Sequence, residues 1–91
     1  MNNQDRKKLE KAIEAIQKAR DIIADNVEII EQLKEAEQEK FDNLSEGLQQ
    51  SDRGSRIEDA ISQLEDAQSE IESAQNGCDY SVEYLQAAID A

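Results

Sequence analysis

From Leu9 to Leu44, and again from Ile57 to Ile89, core-type positions recur in alternating steps of four and three, and this spacing most limits the fold. The first line reads Leu9, Ile13, Ile16, Arg20, Ile23, Val27, Ile30, Lys34, Glu37, Phe41, Leu44. The second reads Ile57, Ile61, Leu64, Gln68, Ile71, Gln75, Cys78, Val82, Leu85, Ile89. Both are coiled-coil seams with a few polar members: Arg20, Lys34 and Glu37 on the first, Gln68 and Gln75 on the second. The absence of proline and the scarcity of aromatic residues (Phe41, Tyr80, Tyr84) suit long helices and argue against a sheet.

The spacing predicts a single all-α domain over residues 1–91. The first helix is expected over about 4–44, with Asn3 as N-cap and Asp5 near its positive end. A connector follows over 45–54. The second helix is expected over about 55–90, opened by the capping-box pair Ser55 and Glu58 directly after Gly54. Asn76-Gly77 reads as a weak point or kink, with Asp79 or Ser81 able to cap a last short helix. Helices of similar length joined by about ten residues predict an antiparallel, coiled-coil-like hairpin. Folding it about the connector pairs residues whose numbers sum to about 99, which sets Arg20 near Asp79 and Lys34 near Glu65.

A second seam, Ala15, Ile22, Ile29 and Ala36, runs beside the first at intervals of seven, and Ala12, Ala19 and Leu33 fill the arc between them. Together they cover nearly half of the helix circumference, too wide a face for one partner helix. The second helix carries a line of small residues, Ala60, Ala67, Ala74, Ser81 and Ala88, that admits a close neighbour. A lone hairpin of this size is marginal. The expected assembly is therefore a homodimeric four-helix bundle, with Ala15, Ile22, Ile29, Leu33 and Ala36 as the dimer face.

The formal charge of −12 is graded along the chain. Residues 1–20 carry +3, residues 21–56 carry −6, and residues 57–91 carry nine acids and no base. Direct nucleic-acid binding and attraction to an anionic membrane both need clustered Lys and Arg, so neither is expected. The natural complement is a protein with a basic surface. With no long apolar run and no signal-type N-terminus, a cytoplasmic location is expected.

No catalytic, cofactor or metal constellation can be assembled, and no enzymatic activity is expected. Cys78 lies on a seam position in a chain without His, which reads as a packed thiol rather than a nucleophile. Asp42–Arg53 has Gly47 at the sixth position of a calcium loop, but Leu44 and Arg53 stand where ligands are required. Di-metal bundles draw on Glu-x-x-His pairs, which this chain lacks. The acids themselves form rows: Asp21, Asp25, Glu28, Glu35, Glu39 and Asp42 on the first helix, and Glu58, Glu65, Glu72 and Asp79 on the second. Steps of three or four residues set carboxylates about 5–6 Å apart along the axis, a spacing resembling that of phosphates along a nucleic-acid strand. Two readings stand side by side, a polyanion-like binding surface and a solvated face on a soluble bundle.

The connector region holds most of what does not fit the repeat. Its residues Gln38, Glu39, Phe41, Asp42, Asn43, Leu44, Glu46, Leu48, Gln49, Ser51, Asp52, Arg53 and Gly54 resemble a block found in small acidic helical-hairpin proteins of bacteriophages and prophages, with Ser45 where those carry proline. The resemblance covers about a fifth of the chain and implies a phage-type binding protein without a defined activity. Physically, Phe41, Leu44 and Leu48 are expected to close the apolar end of the hairpin. Asp42 and Ser45 would cap local turns, and Arg53 would reach the last carbonyls of the first helix. The expected function is occupation of a basic surface on a host nucleic-acid-binding or defence protein. The alternative is a structural or regulatory homodimer that binds through its apolar face.

Overall fold

The computed structural model describes all residues, Met1–Ala91, as three helices and no strand. Helix α1 spans Asn3–Asp42, α2 is a single turn over Glu46–Gln49, and α3 spans Asp52–Asp90. The two long helices pack antiparallel into a rod of 68 × 15 × 14 Å. Arg20 Nε donates to Asp79 Oδ1 at 2.9 Å, and the Gln68 amide donates to Glu31. Both pairs have numbers summing to about 99, the register read from the hairpin pattern.

Burial follows the two seams residue by residue. Every position on the four-three lines from Leu9 to Leu44 and from Ile57 to Ile89 is buried or half-buried. Only Ile13, Ile61 and Gly54 are fully buried, because each helix has one neighbour and no second layer covers the seam. At Lys34 the expected partner Glu65 is replaced. The ammonium lies 3.1 Å from Gln68 Oε1 and 3.2 Å from Glu31 Oε2, seam and near-seam groups that its aliphatic stem reaches without leaving the interface.

The helix ends differ from expectation in ways that the corner explains. The N-cap of α1 is Asn2, whose Oδ1 accepts from the Asp5 amide at 2.8 Å, so the helix begins at Asn3. It ends at Asp42 rather than Leu44, with the Leu44 amide closing a turn onto the Phe41 carbonyl at 3.1 Å. Ser45 caps α2 by accepting from the Leu48 amide. Helix α3 begins three residues earlier than the Ser55 capping box. Ser51 stands at its cap, Asp52 occupies the first turn near the positive helix end, and the Ser55 amide already bonds the Ser51 carbonyl at 3.0 Å. The carbonyl of Phe41 is met by the Gln49 side chain at 3.1 Å, the role expected of Arg53. Phe41 and Leu44 are half-buried at the corner, whereas Leu48 is 45% exposed and closes nothing.

No break or re-capping occurs at Asn76-Gly77, and α3 runs unbroken to Asp90. A helical glycine costs about 1 kcal/mol relative to alanine. Its neighbours Gln75 and Cys78 remain on the half-buried seam, and this packing carries the helix across Gly77.

Candidate protein-binding surfaces

The cross-helix bonds define two flanks of the rod. Arg20 and Gln68 both sit on the seam, and each reaches to one side, toward Asp79 on α3 and Glu31 on α1. Residues spaced by seven share a flank in a coiled coil. Glu72, Glu65 and Glu58 therefore line up with Asp79, and the row is exposed along its length. Asp21, Asp25, Glu28, Glu35, Glu39 and Asp42 of α1 are likewise exposed. A groove of about 200 Å³ opens on this flank near the corner, lined by Gln38, Phe41, Glu58, Ile61, Ser62 and Glu65.

The charges of this surface are largely uncompensated. Three ion pairs form in the whole chain: Arg20–Asp79, Lys34–Glu31 and Lys40–Glu37. Of the ten row acids only Asp79 has a cationic partner. Asp42 and Glu72 accept instead from the amides of Gln38 and Gln68, at 3.0 and 3.4 Å. The titration of Glu31 is shifted. Hydrogen bonds from Gln68 and then Lys34 hold its carboxyl below the ordinary value of 4.5. The rows do not converge, and no three acids come together as a metal cage requires.

The residue one place before each polar seam residue turns to the other flank, since one helical step rotates by about 100°. That flank holds Ala12, Ala19 and Leu33 from α1 and Ala60, Ala67, Ala74, Ser81 and Ala88 from α3. Beyond them lie Ala15, Ile22, Ile29 and Ala36. Nothing in the hairpin covers the large members: Ile22 is 63%, Ile29 52% and Leu33 53% exposed. Ala15, Ile22, Ile29, Leu33 and Ala36, the residues expected at a dimer face, are thus brought to one exposed strip, and the ten row acids are kept off it.

Two features went unread in the sequence. Gln68 is the hub of a polar layer with Lys34 and Glu31, and the signal was present as two polar seam residues falling opposite each other in the hairpin register. Tyr80 and Tyr84 form an exposed pair on successive turns of α3, at 61% and 75% exposure, signalled by their spacing of four. No helix is long and apolar enough to cross a membrane. Compared with family models, curated proteins and solved structures, the chain matches none.

Proposed function

We propose that this is a non-enzymatic binding protein of phage or prophage type, acting in the cytoplasm, whose acidic surface occupies the basic site of a nucleic-acid-binding or defence protein. The carrying observation is that nine of the ten row carboxylates are exposed and have no cation in salt-bridge reach. Such a surface keeps its charge for a partner. Arg and Lys side chains arranged to hold a phosphate backbone would meet carboxylates at comparable intervals along a straight, 68 Å edge. The resemblance of the connector to small phage proteins supports the setting. A second reading is favoured by the exposure of Ile22 and Ile29: a structural or regulatory homodimer that engages partners through its apolar face.

Affinity capture from bacterial lysate separates the two, with a parallel variant carrying Glu58→Gln, Glu65→Gln and Glu72→Gln. Under the first reading the captured protein is a basic nucleic-acid binder. DNA competes for it, the triple variant loses it, and raising salt weakens the complex steeply. Capture that survives neutralisation and high salt but fails with Ile22→Glu transfers the function to the apolar face.

A further inference from the structure

The strip opposite the acids has an internal symmetry that its exposure alone does not require. Along α1 the outer line runs Ala15, Ile22, Ile29, Ala36, which reads the same in both directions about a point between Asp25 and Asn26. Along α3 the small-residue line runs Ala60, Ala67, Ala74, Ser81, Ala88, and its centre is Ala74. In the hairpin register set by Arg20–Asp79 and Glu31–Gln68, those two centres lie side by side.

We propose that this flank binds a second copy of the chain about a two-fold axis that lies in the interface and crosses it at Asn26 and at Ala74, with α1 antiparallel to α1 and α3 antiparallel to α3. Ile22 of one copy then covers Ile29 of the other, twice, and Ala15 meets Ala36. On α3, Ala60 faces Ala88, Ala67 faces Ser81, and Ala74 meets its own equivalent, so the backbones approach closely. The charge gradient fits the same arrangement. Residues 1–20, with +3, lie along residues 31–50 of the second copy, with −4, while residues 21–30, with −3, lie along their own equivalents. Asn26 reaches the axis with its amide donor already bonded to the Ile22 carbonyl at 2.8 Å. The flank, about 68 by 14 Å, offers on the order of 900 Å² per copy, against the roughly 800 Å² per partner of a standard interface. The proposal deepens the apolar-face reading and stands apart from the acidic-surface one, because the face it uses is the other one.

Sedimentation of the purified chain, with circular dichroism alongside, tests both the dimer and its register. The native chain is expected to be dimeric at micromolar concentration, and the variant Ile22→Glu/Ile29→Glu monomeric. In Ile22→Lys/Ile29→Glu the introduced lysine of each copy faces the introduced glutamate of the other. This chain should dimerise at least about tenfold more tightly than the double-glutamate one. If the hairpin unfolds on dissociation, the same rescue is expected in helicity as in mass. In a Cys78→Ser background, Asn26→Cys should form an inter-chain disulfide readily, whereas Ala15→Cys should not. A native chain that stays monomeric overturns the proposal and leaves the strip to another protein. So does a dimer indifferent to the double-glutamate change, or a lysine–glutamate variant no tighter than the double-glutamate one.

Discussion

Gly54 lies against the last carbonyls of α2: a Cβ built on it would fall 2.7 Å from the Leu48 carbonyl oxygen and closer still to that of Gln49. Both contacts are backbone, so no side chain can swing aside. Gly54→Ala should therefore force α3 away from the one-turn helix, with a loss of about 1–3 kcal/mol, the usual range for overpacking. Thermal or urea unfolding followed by circular dichroism measures it.

Gly77 presents the opposite case. Nothing lies within 4 Å of a Cβ placed there, and the residue is inside an unbroken helix. Gly77→Ala should raise stability by about 0.5–1 kcal/mol through the lower helix propensity of glycine. A loss of stability in the same unfolding experiment would mean that α3 does bend at this point.

The polar layer formed by Lys34, Gln68 and Glu31 interrupts an otherwise mostly apolar seam. Replacing both seam members, Lys34→Leu with Gln68→Leu, should stabilise the hairpin by about 1–2 kcal/mol, since half-buried polar groups give way to packed apolar ones. The same change removes a device that fixes register, so amide NMR spectra of the variant should show more than one packing arrangement. A variant less stable than the native chain would show that the triad contributes net stability.

Glu31 has its carboxyl lowered by Gln68 first and Lys34 second. A lowered folded-state value means that its contribution is present above the ordinary value of 4.5 and is lost as pH falls through the folded one. The difference in melting temperature between native and Glu31→Gln chains should thus hold from neutral pH to about pH 5 and close at lower pH. Over the same upper range the many unpaired carboxylates repel one another, so the native melting temperature should not fall between pH 7 and about pH 5. A steady fall over that interval contradicts the dominance of repulsion.

The helices and their pairing were legible because the information is periodic: the four-three lines that predict the seam are the residues that lose solvent. Arg20–Asp79 was readable because register and charge agree there. The corner was not readable, because its determinants are tertiary. Ser55 and Glu58 spell a capping box, yet α3 starts at Asp52, where Gly54 meets Gln49 across the turn. The Gln49 side chain takes the Phe41 carbonyl through a contact that no local pattern encodes. Lys34 was assigned to Glu65 by register alone, and a flexible stem chose the nearer Gln68 and Glu31 instead. The acidic rows were visible as spacing; their separation from the apolar strip emerges only when the two helices are laid side by side.

A rod 68 Å long and about 15 Å across has length but almost no depth, and this shapes how it opens. Each turn of α1 leans on one turn of α3, so the layers are held in series, as in a zipper closed by the corner. At the end carrying Met1 and Ala91 no loop joins the two helices, and one side-chain hydrogen bond crosses between them, from Arg6 to the Ile89 carbonyl at 3.2 Å. Amide hydrogen exchange should therefore be fastest around residues 3–12 and 82–90 and slow progressively toward Phe41 and Ile61. In such a molecule the end away from the corner is a ready handle: a protease, a chaperone or a pulling force applied there peels the layers one after another, whereas the same agent at the corner meets the whole hairpin at once.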